Sequence, residues 1–322
     1  MLVSHEMTSA NDQPETAPVV IAPKKRPGRP KKAVISQPPD HHGICTTPFN
    51  AEDVVELVHY TPLIFKKIVT LLRGYDVANV NIDFGPEGIR ILSQDHFGGT
   101  SICITINGNC MYYYYCKAPL RVSVKCENME NIFMTLAKTH SKITLISKAE
   151  NYRSFLYVLI SDGEYDATGS YEIGVIYAPD NSAETAVAYD DSAYPILFTV
   201  SSKYFKKLVS DISKISKMFI VQKDGAENLQ LTSDRKDGIS WTGTYNNAEK
   251  IHLVSKLAPN EIFSASVPID DVKPFSSSNT GEEVTIAADK VNRISFTTRI
   301  DKYKEWWTMV IKVFIKINGP SQ

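Results

Sequence analysis

Two stretches of this 322-residue chain carry basic side chains at helical spacing beside an apolar stripe, and they are the strongest chemistry the sequence offers. The first, residues 62–74, holds Lys66, Lys67 and Arg73 and no acid. Lys66 and Arg73 are seven apart and share a face, while Leu63, Ile64, Ile68, Leu71 and Leu72 populate the other. The second, residues 202–217, holds Lys203, Lys206, Lys207, Lys214 and Lys217 against a single acid, Asp211. There Lys203, Lys207 and Lys214 follow a 3.6-residue period opposite Phe205, Leu208, Val209 and Ile212. Lysines without a base-reading motif suit phosphate contacts, which give affinity without sequence preference. A basic face is also what an ordinary solvated helix shows. Its recurrence at the same point of two related segments is what indicates a shared polyanion surface.

Other reactive residue types occur without a catalytic arrangement. Asp83-Phe84-Gly85 copies a kinase metal-binding tripeptide, yet no glycine-rich phosphate loop or catalytic loop accompanies it. His41, His42 and Cys45 match no structural zinc spacing. Cys103, Cys110, Cys116 and Cys126 fall in or beside strand-like runs and are expected as core or edge thiols. Tyr112 to Tyr115 could stack bases, but alternation on an edge or interface strand is the simpler role. Trp306-Trp307 puts one indole on each face of a strand. No catalytic residue, metal site or cofactor is expected, and the chain is read as a non-enzyme.

The elements that position the basic helices repeat. Phe65-Lys66-Lys67-Ile68-Val69 recurs as Phe205-Lys206-Lys207-Leu208-Val209, and the same offset of 140 pairs Ile91-Leu92-Ser93 with Leu231-Thr232-Ser233. Each copy opens with a strand (54–60; 196–200) and a helix started by Thr61-Pro62 or Ser201-Ser202. Strands are then expected at 77–84, 88–93 and 100–107, and at 218–223, 228–233 and 238–244. A second half follows in each copy: strand 120–126, helix 128–138 and strands 142–148, 154–162 and 169–176; then strand 261–267, helix 269–277 and strands 283–288, 292–300 and 306–317. The expected class is α+β, with two similar domains each built from two β-α-β-β-β units. The division is a proline-rich basic tail over 1–48, a first domain over 49–176, an acidic connector over 177–195, a second domain over 196–317 and a short tail over 318–322.

The formal net charge is −1, which at face value argues against a nucleic-acid binder. Its distribution reverses that reading. The tail is +2 and the two basic helices are +3 and +4. The other two helices are about −1 each, counting Glu127 just ahead of the first of them, and everything else sums to −8. No apolar run approaches the 18 or so residues that span a bilayer, no signal-peptide h-region is present, and five cysteines without repeated spacing suit a reducing compartment.

With Leu63-Ile64-Phe65-Lys66-Lys67-Ile68-Val69 and Arg73, then Gly88-Ile89-Arg90-Ile91-Leu92-Ser93-Gln94-Asp95, then Phe205 to Ser213, the chain resembles the DNA sliding clamps. The likeness is to proliferating cell nuclear antigen and the clamp-like proteins of large DNA viruses such as African swine fever virus. It spans about residues 52–317. It implies the DNA-clamp fold, a closed ring of three two-domain subunits with helices lining the hole, and a processivity function: double-stranded DNA encircled without sequence preference while DNA polymerase and other proteins dock through short motifs. The clamp's inner basic residues fall on Lys66, Lys67, Arg73, Lys207 and Lys214, with Lys203, Lys206 and Lys217 beside them and Lys138 near the second helix, where Asn131 and Met134 stand in place of bases. The implied partner pocket maps to Gln94, Asp95, His96 and Phe97, to Val187, Tyr189, Tyr194, Pro195 and Ile196, and to Phe314, Ile315 and Ile317. No membrane partner is expected. The implied location is the host nucleus or a cytoplasmic viral replication factory. A clamp-fold viral DNA-binding, transcription or scaffold factor that closes no ring is the alternative.

The tail segment Pro23-Lys24-Lys25-Arg26-Pro27-Gly28-Arg29-Pro30-Lys31-Lys32 resembles an AT-hook, whose extended Gly-Arg-Pro core lies in a narrow minor groove. Pro27 stands where the hook has an arginine. A basic import signal fits the same residues, and the two readings stay open.

Overall fold

Phe65, Ile68, Val69 and Leu72, and again Phe205, Leu208, Val209 and Ile212, recur at three- and four-residue spacing, so a helix puts each set on one buried stripe. A computed structural model of the chain describes residues 43–176, 194–224, 228–233, 240–245, 251–258, 261–278, 281–288, 293–303 and 306–316. Its first repeat runs β1 (Gly43–Ile44), β2 (Asp53–His59), α1 (Leu63–Gly74), β3 (Asn79–Gly85), β4 (Gly88–Gln94), β5 (Thr100–Asn107), β6 (Tyr113–Cys116), β7 (Leu120–Lys125), α2 (Cys126–Phe133), β8 (His140–Lys148), β9 (Phe155–Asp162) and β10 (Ala167–Ile176). The second runs β11 (Ile196–Ser201), α3 (Ser202–Ile215), β12 (Met218–Asp224), β13 (Asn228–Thr232), β14 (Thr242–Tyr245), β15 (His252–Ser255), β16 (Phe263–Pro268), α4 (Ile269–Ser278), β17 (Glu283–Ala288), β18 (Arg293–Tyr303) and β19 (Trp306–Lys316). Among the described residues the class is α+β, mostly strands with four α-helices.

The sequence repeat is a repeat of strand pairing. In the first copy β2 lies between β6 and β8, β9 joins β8 to β10, β3 lies between β7 and β4, and β5 follows β4. In the second, β11 lies between β15 and β17, β18 joins β17 to β19, β12 lies between β16 and β13, and β14 follows β13. One ladder crosses between the copies: β5 pairs antiparallel with β19, from Thr100 opposite Ile315 to Ile106 opposite Met309. Among the described residues that ladder makes one 15-stranded sheet from β1 to β15, with β12, β13, β14 and β16 in a second sheet of four, and neither closes on itself. The helices pack in the order α2, α1, α4, α3, each against its neighbour. Phe205 sits among Phe219, Phe275 and Phe296 at centroid distances of 6.5, 6.1 and 5.6 Å, and Phe65 meets Phe133 at 5.6 Å.

Several boundaries differ from the sequence expectation. The tail was expected to reach residue 48, but Gly43–Ile44 pairs parallel with β6, Phe49 stacks on Tyr113 at 4.1 Å, and the Phe49 N–H donates to Glu56 Oε2. Apolar contact for one aromatic and two partners for the backbone are enough to order this piece. The tyrosine run does alternate. Tyr114 is buried, with its hydroxyl on the Gly85 and Gly88 carbonyls, while Tyr113 and Tyr115 join Val58 in a small cluster of their own. Its strand is second from the edge, covered by β1. The helix expected over 128–138 is α2 at 126–133, because the chain turns away through Thr135 N–H to Ile132 O and Leu136 N–H to Phe133 O. The helix expected to reach 217 stops at Ile215. Strand β15 was not anticipated, since His252–Ser255 is short and largely exposed and shows no clean alternation.

Gly88 turns β3 into β4 with φ of +139°, and a Cβ there would sit 2.2 Å from the Ile106 carbonyl oxygen and 2.6 Å from the Gly108 nitrogen. Both are backbone atoms that cannot swing aside. Gly88→Ala is expected to lower unfolding free energy by about 3 kcal/mol or more. Denaturant unfolding checks this, and a variant as stable as the parent would contradict the placement of β4 against β5.

Candidate nucleic-acid interface

Of the basic residues singled out on α1, Lys66 and Arg73 reach α2, Lys66 from a half-buried position and Arg73 from an exposed one. Lys66 is half-buried, and its ammonium donates to the Met134 and Leu136 carbonyls at 2.9 and 2.8 Å, holding the exit of α2 against α1. Arg73 pairs with Glu130 of α2 at 2.9 Å. Thr70 donates its hydroxyl to the Lys66 carbonyl and touches the Met134 sulfur. Lys66, Thr70 and Arg73 therefore share a face, as the seven-residue spacing implied, but that face is the seam with α2. Lys67 is half-buried and makes no ion pair among the described residues. Lys138 is exposed in the loop after α2, so it stands on no helix face.

The second repeat differs. Ser201 caps α3 by accepting the Tyr204 N–H, and the helix presents Lys203, Lys206 and Lys207 exposed, without an ion pair among the described residues. Lys214 pairs with Asp211 at 3.0 Å on an exposed surface, a contact worth under about 1 kcal/mol. Lys217 is exposed just past the helix end. Lys273 on α4 pairs with Asp270 at 2.7 Å and faces α3 across an open cleft; sequence reasoning did not single it out. The signal that could have found this cleft is the spacing of Lys206, Ser210 and Ser213 along one side of α3. Lys24, Lys25, Arg26, Arg29, Lys31 and Lys32 lie outside the described residues.

The residues assigned to a partner pocket divide into a surface turn and a buried row. Asp95 accepts the Gly99 N–H at 2.8 Å to close the turn after β4, Phe97 is 89% exposed, and His96 lies edge-on to it at 5.3 Å. Gln94 is exposed at the end of β4. The Lys316 N–H donates to the Gly99 carbonyl, which fixes this turn at the end of β19. One cross-strand row then links Thr100, Ile315, Ile294, Ala288 and Ile196, all buried. Ile315 and Ile196 are thus core residues, Phe314 and Tyr194 are also buried, and Pro195 accepts the Lys256 N–H. The exposed apolar group of this set is Phe97. Val187, Tyr189 and Ile317 lie outside the described residues.

Near this turn the two repeats meet. The Tyr75 hydroxyl donates to the Asp271 carbonyl at 2.7 Å, and burial, chiefly, holds the tyrosine well above its ordinary range. Burial also raises the Asp271 carboxyl, with smaller contributions from the negative charges of Asp95 and Asp270. Asp83, by contrast, has both oxygens on the Arg121 guanidinium, which leaves the kinase-like tripeptide a structural strand end. No group of three His, Cys, Asp or Glu side chains among the described residues could hold a metal ion, and no described helix is long and apolar enough to cross a membrane.

No protein-family model matches the chain. Among curated proteins it is similar to an uncharacterized protein of African swine fever virus. The Malawi tick isolate and the Kenyan pig isolate versions are each 23% identical over 285 residues, covering 86% of this chain and 94% of theirs. The relatives found are therefore viral.

Two outcomes follow from these contacts. Lys66→Met removes the donor for two carbonyls and is expected to cost about 1–3 kcal/mol, whereas Lys207→Met should stay within about 0.5 kcal/mol. Thermal unfolding of both compares them, and equal costs would show that the Lys66 contacts are not formed. For Asp271 the folded carboxyl binds its proton more tightly than the unfolded one. Its contribution is complete below the unfolded value of 3.8 and is lost as pH rises through the raised folded value. Asp271→Asn should therefore lose less stability than the parent between about pH 4 and pH 7. Superimposable pH–stability curves would refute this.

Proposed function

We propose that this chain is the subunit of a DNA sliding clamp, a non-enzymatic ring that encircles duplex DNA and tethers polymerase and other DNA-processing proteins. The observation that carries the reading is the duplicated pairing scheme and the two edges it leaves over. β5 of the first repeat is satisfied by β19 of the second. The counterpart of β5 is β14 and the counterpart of β19 is β10. Along β14, and along β10 from Ala167 to Gly174, the described residues pair on one side only. Unpaired strand edges are templates for another chain. A second copy can repeat across β10 and β14 what β5 and β19 do within one copy, and such head-to-tail contacts give a ring when the rotation closes. Three copies follow from the resemblance to the clamps.

The side chains on these edges support that pairing. Taking for β19 and β10 the offset of 140 read at Phe65/Phe205 and Ile91/Leu231, we assign Ile311 of β19 to Tyr171 of β10. Ile104 of β5 corresponds to Gly243 of β14, because they oppose the equivalent residues Ile91 and Leu231. Tyr171 then faces Gly243, and Gly169 faces Tyr245, so each ring meets a residue without a side chain. Antiparallel neighbours of this kind are the unit of sheet stabilisation. The row of four helices, with α3 its most basic member, would line the hole. Exposed lysines there would make loose, salt-screened phosphate contacts that permit sliding. Phe97 and the turn that carries it would be the apolar anchor point for docking partners. The reading places the protein where viral DNA is copied, in the nucleus or a cytoplasmic factory, and the basic tail would add a second DNA contact or an import signal.

The test is retention on circular against linearised DNA, with native mass measured on the same preparation. The expected result is a trimer that stays on closed circles and slides off linear ends. A monomer, or equal loss from both DNA forms, would overturn encirclement and leave a DNA-binding or scaffold factor of the same fold.

A further inference from the structure

The segment that joins the tail to the first repeat is held along a fixed path. β1 pairs parallel with β6, the Cys45 N–H donates to the Tyr114 carbonyl at 2.7 Å, and the Tyr113 hydroxyl donates to the Thr47 carbonyl. Phe49 stacks on Tyr113, and its N–H donates at 3.1 Å to the carboxylate of Glu56, a buried side chain of β2. Ile44 and Phe49 nevertheless stay 39% and 67% exposed, so the apolar area they bury contributes little to stability. What these contacts do is direct the backbone.

The path runs from Asp53, where β2 begins, back along β2 to Gly43, which pairs with Tyr113 level with Val58. There it meets the turn between β3 and β4. A Cβ on Gly108 would lie 3.0 Å from the Ile44 side chain and 3.1 Å from the Glu87 carbonyl, and the Gly108 N–H donates to that carbonyl at 2.8 Å. The Tyr114 hydroxyl ties β6 to the same turn through the Gly85 and Gly88 carbonyls, at 2.6 and 2.8 Å. Gly43 therefore stands at the Glu87 end of β4, and Phe97 lies past the other end of that seven-residue strand, roughly 23 Å away. In the proposed ring the sheet follows the circumference through its ladders, so the strands cross the wall and the two ends of β4 lie on opposite faces.

Resting on the clamp reading, we propose that residues 43–50 are a positioning strap that delivers the basic segment Lys24–Lys32 on the ring face opposite Phe97, where it contacts the phosphates of the duplex leaving the hole. That segment carries six basic residues and no acid. Such a run suits a polyanion bound without sequence preference. Eleven residues lead from Lys32 to Gly43 and span at most about 40 Å, against the roughly 20 Å taken up by one sheet and one helix layer. The chain is thus long enough to come over the rim from the outer wall. Proteins docked on Phe97 and the basic segment on DNA would then occupy different faces and would not compete.

The experiment measures binding of the full chain to a linear duplex across a salt series, with native mass confirming an unchanged assembly in every variant. The tail variant is Arg26→Gln together with Arg29→Gln. Parent and variant tails are each combined with Glu87→p-azidophenylalanine or Phe97→p-azidophenylalanine, whose azide is coupled to biotin and streptavidin to block one face. Losing two phosphate contacts should lower the slope of log K against log salt by about two. The expected result is that the tail variant shows this loss in the unblocked protein and under the Phe97 block, while the Glu87 block abolishes the difference between the two tails. An unchanged slope in the unblocked tail variant, which would leave these residues to an import receptor, would overturn the proposal. A difference that survives the Glu87 block, or one that disappears under the Phe97 block, would overturn it as well. The clamp reading is tested separately, by retention on closed circles, which the tail variant should keep.

Discussion

The antiparallel ladder between β5 and β19 is the contact on which the rest of the structure depends. Each of these strands would otherwise end its half of a repeat with a row of unpaired backbone groups, and burying such groups unpaired is costly. Pairing them makes one sheet from two repeats. It brings the end of α1 against α4, where Gly74 meets Pro274 and the Tyr75 hydroxyl reaches the Asp271 carbonyl. It also sets the turn that carries Phe97 at the end of β19. Because the repeats are alike, the same demand is left unmet among the described residues at β10 and β14. The proposal for assembly arises from that one mismatch between what the fold satisfies and what it leaves open.

Much of the architecture was legible in the sequence because it is carried by periodic apolar residues. The repeat first seen at Phe65 and Phe205 extends to the whole pairing scheme, with an offset that drifts by a few residues from strand to strand, and most strands lie within a few residues of where alternation placed them. What could not be read is what depends on contact between distant segments. Nothing local distinguishes Lys66, which caps the exit of α2, from Lys206, which faces open surface; both sit about one turn into a basic amphipathic helix. Ile196 and Ile315 look like surface candidates beside a connector, yet one cross-strand row buries both. Strand β15 and the ordering of Phe49 on Tyr113 likewise come from tertiary pairing that short, weakly patterned segments do not announce.

The charge pattern gains a physical meaning from these contacts. A near-neutral total conceals basic helices within acidic strands and loops, but the two basic helices are not equivalent. In the first repeat the cations of the seam are spent on helix packing and on one acid. In the second, Lys206 makes no ion pair among the described residues, Lys273 pairs with Asp270 on its own helix, and serines stand where the first has Arg73 and Met134. Duplication supplied two similar scaffolds, and divergence at a handful of seam positions separates a pair of helices tied by side-chain contacts from one that leaves a shallow, open depression between them.

The most direct measurement of the central claim is cross-linking between copies through the two open edges. Tyr171→Cys and Gly243→Cys, placed together in a chain whose native cysteines are replaced by serine, put two thiols opposite each other on neighbouring antiparallel strands. The Cα separation of such a pair is roughly 4.5–5.5 Å, inside the range a disulfide spans. Oxidation should give a covalent product that stops at three copies on a denaturing gel, while each single variant stays monomeric on that gel. Absence of cross-linking in the double variant, or a ladder that continues past three copies, would contradict a closed ring built on β10 and β14.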